Sequence, residues 1–115
     1  MNDMQLTKDA DALLCVLYKE YLHRRDAGLP KVKSRYFGDS KFIQAALMQK
    51  WSLEDVDETC RELSRRKLLE CYFFDNLAAE VILTDDALAC MERRFSNGLS
   101  SVLTYLERIR ALLPW

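Results

Sequence analysis

Two amphipathic stripes follow each other with almost no chain between them, and this spacing constrains the fold more than any other feature of the sequence. Phe42, Ile43, Ala46 and Leu47 form the inward stripe of a helix that starts near Ser40 and stops near Lys50 or Trp51. A second helix follows almost at once. Ser52, with Asp55 three residues on, has the capping-box pattern, and Leu53, Val56, Cys60 and Leu63 then repeat at intervals of three and four. Two helices joined by so tight a turn make a helix-turn-helix unit.

The flanking segments complete an order of elements. Leu6, Ala10, Leu13, Leu14, Leu17 and Tyr21 recur at helical spacing between Thr7, a plausible N-cap, and Gly28, a stop, which predicts a long first helix. Leu29 to Phe37 holds Pro30 and the bases Lys31, Lys33 and Arg35 without helical periodicity, and reads as an exposed connector. After the helix-turn-helix, Leu68 to Phe74, the turn Asp75-Asn76-Leu77-Ala78 and Ala79 to Leu83 read as strand, turn, strand. Thr84, Asp85 and Asp86 can cap a helix with Leu88, Met91 and Phe95 on its inner face, and Asn97-Gly98 breaks it. The expected fold is mainly α with a small β-hairpin, an α+β class: one domain over residues 1–115, with a core at 1–96, a hairpin at about 68–83 and a C-terminal helix at 99–113.

In that last helix Leu99, Val102, Leu106, Ile109 and Leu113 are spaced 3, 4, 3 and 4, the a/d pattern of a coiled-coil seam. The same stripe suits a helix packed on its own domain, because a few turns do not separate the 3.5 and 3.6 periods. A homodimer interface and an intradomain helix both remain open here.

At 115 residues the chain can bury about two-thirds of the surface that its unfolded form exposes, which allows a sizeable core. Half its residues are hydrophobic and 30% are charged, with three Gly and two Pro, a globular and not a disordered composition. Cys15, Cys60, Cys71 and Cys90 are widely spaced inside regular elements and read as reduced core thiols of a cytoplasmic protein. With a single histidine, His23, converging metal ligands are not expected, and no cofactor is implied. The longest apolar run, Ala12 to Tyr18, is too short to cross a bilayer, so neither a signal peptide nor a membrane partner is expected.

Helix, helix-turn-helix, hairpin and C-terminal helix is a winged-helix order, and local motifs resemble that superfamily. Arg61-Glu62-Leu63-Ser64-Arg65-Arg66-Lys67-Leu68-Leu69 resembles the "xxLxxxGLI" ending of a recognition helix, with Lys67 in place of the usual glycine. Val81-Ile82-Leu83-Thr84-Asp85-Asp86-Ala87 resembles the "ITxxG" entry to the helix after the wing in MarR-like and PadR-like regulators, with Ala87 in place of glycine. Met91 to Gly98, followed by a short helix and Pro114, is similar to small YjcQ-like proteins of bacteria and their phages. The resemblance implies a winged helix-turn-helix fold and a DNA-binding transcription regulator.

Charge complicates that implication. A winged helix lays the start of its third helix on base edges and touches phosphates with the wing. Here the third helix starts with Glu54, Asp55, Asp57 and Glu58, which phosphates repel, and the turn Asp75 to Ala78 holds one acid and no Lys or Arg. Bases gather instead at Lys31, Lys33, Arg35 and Lys41, and at Arg61, Arg65, Arg66 and Lys67, and these are the expected contacts to double-stranded DNA. The alternative is a protein-protein interaction module that uses the acidic face Glu54, Asp55, Asp57 and Glu58, or the C-terminal helix. No catalytic residue is expected: His23 sits near a helix end, Asp85 and Asp86 read as helix caps, and the chain has neither a Gly-rich phosphate loop nor a nucleophile elbow.

Overall fold

The first helix begins where its cap residue places it. Thr7 Oγ1 accepts a hydrogen bond from the Ala10 N–H at 3.2 Å, Asp9 and Asp11 occupy the first turn of α1 (Lys8–Asp26), and His23, Arg24 and Arg25 occupy its last. The computed structural model describes residues 5–110. Leu13, Leu14, Leu17, Tyr18 and Tyr21 are buried together with Ala12, Cys15 and Val16, so α1 is surrounded on most sides and forms the central rod of the core.

The connector differs from its expected form. Lys31–Ser34 winds into a single helical turn, α2, and Ser34 is buried with its hydroxyl donating to the Pro30 carbonyl at 3.0 Å. One turn is too short to carry a readable period, which is why the sequence shows none. Phe37 is also buried, and Tyr36 bridges Ile82 across the chain.

α3 (Ser40–Leu47) starts at Asp39, whose carboxylate accepts from the Phe42 N–H at 2.8 Å. It ends at Leu47, earlier than expected, and its inward stripe is narrower. Ile43 is buried and Leu47 is partly so, but Phe42 is 45% exposed and Ala46 faces solvent. Met48 and Trp51, in the turn that follows, fill the core in their place. A helix of two turns has room for little more than one fully inward position.

α4 (Leu53–Arg65) is capped by Ser52, which accepts from the Asp55 N–H at 3.0 Å. Its far end closes with two backbone bonds of the Schellman type, Leu68 N–H to Leu63 C=O and Lys67 N–H to Ser64 C=O, each 3.0 Å long. These require a left-handed residue between them, and Lys67 has φ +63°. A side chain with a Cβ is strained there by about 1 kcal/mol. Lys67→Gly is therefore expected to stabilise the protein by about 0.5–1 kcal/mol in urea unfolding, whereas Lys67→Ala should gain nothing. A destabilised Lys67→Gly would show that the lysine side chain does something for the fold besides occupying the cap.

The chain then forms the hairpin β1 (Leu69–Phe74) and β2 (Leu77–Leu83). The turn is tighter than expected: Asp75 and Asn76 alone make it, with φ +52° and +64°, and Leu77 and Ala78 already belong to β2. Two successive left-handed residues make a type I′ turn, whose twist matches that of the strands it joins. Tyr72 pairs with Glu80 and Phe73 with Ala78, so Ala79 is bulged out of register.

Thr84 caps α5 (Asp85–Arg94), accepting from the Ala87 N–H at 3.1 Å while its own hydroxyl donates to Lys67 C=O at 2.9 Å. α6 (Leu99–Arg110) lies against α1. The described residues thus form a mainly helical α+β fold with one two-stranded antiparallel sheet. None of their helices is long and apolar enough to cross a membrane.

Candidate functional site

The expected acidic face divides in two. Asp57 is nearly buried, accepting the Ala78 N–H at 2.8 Å through one carboxylate oxygen and Arg61 Nε at 2.9 Å through the other. Arg61 in turn donates to Asn76 C=O at 2.6 Å and lies over the Phe73 ring, 4.4 Å from its centroid. These two residues fasten α4 to the hairpin and leave the face that a partner could touch. Glu54, Asp55 and Glu58 remain exposed, Glu58 in a loose 3.7 Å pair with Arg65 whose members are both largely solvated.

The expected basic contacts divide likewise. Lys31, Lys33, Lys41 and Lys67 are exposed and form no salt bridge among the described residues. Arg35 belongs to the fold instead of to an open connector. Its Nε donates to Leu83 C=O at 2.8 Å and its terminal nitrogen pairs with Asp85 at 2.7 Å, and this hydrogen bond and charge hold the Asp85 carboxyl below its ordinary value. Arg66 is tied to Gln5 C=O at 3.0 Å. Arginines near an irregular backbone find carbonyls to satisfy, a use that the charge pattern alone does not reveal.

The hairpin presents a surface that sequence reasoning passed over. Tyr72 is 53% exposed, Phe73 44% and Phe74 71%. Glu70, Tyr72 and Phe74 share the outward face of β1 by strand alternation, opposite Ile82 and Glu80 on β2, and the Tyr72 hydroxyl donates to the Glu70 carboxylate. Beside them Val32, Tyr36 and Ile82 line an open groove of about 470 Å³ with Arg35 and Glu70. Over residues 69–83 the only charged side chains are Glu70, Asp75 and Glu80. The signal for this patch was the run Tyr72-Phe73-Phe74, too many consecutive aromatics for a strand with a single buried face.

On α6, the stripe read as a dimer seam faces its own domain. Val102 is fully buried, and Leu106 and Ile109 pack on the core, with Leu99 partly covered. Leu113 lies outside the described residues. Leu103, off the seam, is the large apolar side chain that α6 leaves 44% exposed.

Three of the thiols, Cys15, Cys60 and Cys71, are held in their protonated form by burial. Burial pushes Cys15 up to about 12 and Cys71 up to about 11, and it raises Cys60 further still. At neutral pH all three hold their protons and lack the thiolate that nucleophilic chemistry needs. His23 is exposed on α1, and Asp85 is held by Arg35. The arrangement is suited to contact by surface complementarity: an exposed aromatic strand with a carboxylate rim, and a separate acidic helix start on α4, which packs against the other face of the hairpin. Compared with family models, with curated proteins and with solved structures, the chain matches none.

Proposed function

We propose that this chain is a non-catalytic winged-helix interaction module that binds another protein through the outer face of its hairpin. The winged-helix reading draws support from the order of elements, the tight α3–α4 turn, and the Tyr36–Ile82 bridge, which adds a short third edge beside β2. One observation carries the functional reading. Where a DNA-binding wing would offer Lys or Arg to phosphates, this hairpin offers Tyr72, Phe73 and Phe74 with three carboxylates and no base. Exposed aromatic clusters are typical anchors of protein interfaces, and the carboxylates of Glu54, Asp55 and Glu58 have the wrong sign for a major groove.

The regulator reading keeps Lys31, Lys33, Lys41 and Lys67, which are exposed and could hold a duplex by its backbone alone. Such binding would be weak and steeply salt-dependent. Fluorescence anisotropy of a labelled duplex, titrated at low and at moderate salt, separates the two. The expected result is no saturable binding at either salt, alongside a protein partner whose capture is lost in a folded Phe74→Asp variant. Salt-sensitive DNA binding that disappears when Lys31, Lys33 and Lys41 are changed to Glu would overturn the proposal in favour of a regulator.

A further inference from the structure

The two strands of the hairpin are not equally covered. β2 has a neighbour on each side, β1 on one and the Tyr36 bridge on the other, whereas β1 pairs only with β2 among the described residues. Backbone hydrogen-bonding groups alternate in direction along an antiparallel strand. Those of Val81 and Leu83 point away from β1: Val81 N–H donates to Gly38 C=O at 2.8 Å, its carbonyl accepts from Phe37 N–H at 2.9 Å, and Leu83 N–H donates to Arg35 C=O at 3.0 Å. Glu80 and Ile82 therefore point toward β1, where Tyr72 and Glu70 face them. By the same alternation Cys71 and Phe73 aim their N–H and C=O groups out of the opposite edge of β1.

An open edge is a template for another strand, and folded proteins usually blunt it with Lys, Pro or a bulge on the edge strand itself. β1 contains neither Lys nor Pro, and the bulged residue, Ala79, belongs to β2. Of its three outward side chains, Tyr72 and Phe74 are aromatic and Glu70 is the one charge, an acid whose carboxylate accepts from the Tyr72 hydroxyl. We infer that the free edge of β1 receives an extended, basic segment of a partner protein as an added strand. The backbone groups of Cys71 and Phe73 make the pairing, and Tyr72 and Phe74 cover the apolar side chains of the incoming segment. This rests on the interaction reading above and supplies its binding mode.

Charge decides what the strand must be. Glu70, Asp75 and Glu80, the charged side chains of the hairpin itself, ask for Lys or Arg; Arg61, the base that reaches the hairpin tip, is taken up by Asp57 and Asn76, and Arg65 and Lys67 stand before the strand begins. A second copy of this chain would add another set of the same three hairpin carboxylates and no base, which disfavours self-pairing. A segment alternating basic and apolar residues satisfies both the edge and the face.

The test is a titration of the ¹⁵N-labelled full chain with the synthetic peptide acetyl-Lys-Val-Lys-Val-Lys-Val-amide. Amide shift changes should centre on residues 69–74, and hydrogen exchange at Cys71 and Phe73 should slow by about tenfold or more. A peptide N-methylated at alternate residues, so that its paired edge cannot donate, should lose both effects while keeping its charge. An equal response to the methylated peptide would overturn the inference, as would no response to either. Shifts confined to the start of α4 would overturn both the added strand and the hairpin as the contact face. Peptide silence together with DNA binding at low salt would overturn both. A mass that doubles with protein concentration in the absence of peptide, and that falls in Phe73→Pro, would assign the edge to a second copy instead.

Discussion

Replacing Asp57 with alanine is expected to lower the unfolding free energy by about 3 kcal/mol, among the largest losses for any polar side chain in this protein. Two debts fall due together. The Ala78 N–H, at the start of β2, loses its 2.8 Å acceptor in a position where its residue is fully buried, and an unsatisfied buried donor costs about 1–3 kcal/mol. Arg61, with its side chain 32% exposed, loses its ion pair while still held between Asn76 and the Phe73 ring. Asp57→Asn restores one of the two acceptors. The amide oxygen can still accept from Ala78, but its NH2 then meets the Arg61 Nε–H, donor against donor, so the loss is expected to be smaller than for alanine by no more than about 1 kcal/mol. Urea unfolding measured for both variants checks this, and an Asp57→Asn loss larger than that of Asp57→Ala would show that the meeting of the amide with Arg61 outweighs the retained Ala78 hydrogen bond. Because Asp57 and Arg61 set where the hairpin stands against α4, Asp57→Ala should also weaken partner capture, even at temperatures where the variant remains folded.

What could be read from the sequence was local. Thr7, Ser52 and Thr84 all cap the helices assigned to them, because a cap acts on a backbone N–H three residues away and its signal is therefore contiguous. The hairpin and its acidic turn were legible for the same reason. Lys67 is instructive: a pattern that usually has glycine meets a lysine here, yet the residue keeps φ +63°, so the backbone requirement persists and the side chain bears the strain. At Ala87, the other missing glycine, the residue is buried inside α5 with no positive φ, and nothing there needs glycine.

The contacts that escaped were long in sequence. The bridge from Tyr36 to Ile82 turns a connector into part of the sheet, and Arg35 is drawn into the same join. Neither is visible in periodicity, since a single turn and a single bridge have no period. Asp57 counted equally with Glu54, Asp55 and Glu58 as an acid on a helix start, until the fold brought Ala78 against it. The stripe on α6 was ambiguous for a physical reason as well: Val102 and Leu106 would be placed alike by a partner helix or by α1, and only the fold shows that α1 covers them.

α6 depends on a second polar fastening, which gives a pH-dependent prediction. Asp11 on α1 takes a bidentate pair from Arg94 on α5, at 2.5 and 3.1 Å, and a hydrogen bond from the Tyr105 hydroxyl on α6. The Arg94 guanidinium also lies over the rings of Phe95 and Tyr105, so one carboxylate organises three helices. Partial burial pushes the Asp11 carboxyl up, but the hydrogen bonds from Arg94 and Tyr105 and the Arg94 charge outweigh it and leave the group below its usual 3.8. A carboxyl depressed in the folded state contributes stability that is present above the unfolded value and is lost as pH falls through the folded one. Asp11→Asn should therefore cost about 2 kcal/mol at pH 7, and the gap to the native protein should hold down to about pH 5, narrow below about pH 4, and close in stronger acid. Tyr105→Phe, which removes one donor and no charge, should cost about 1 kcal/mol with a weaker pH dependence. Urea midpoints of the three proteins between neutral and strongly acidic pH test the argument. A gap between native protein and Asp11→Asn that persists undiminished in strong acid would mean that the hydrogen bonds of the carboxyl, and not its charge, hold α6, whereas no gap at any pH would mean that packing of Phe95, Val102 and Tyr105 against α1 suffices to dock it.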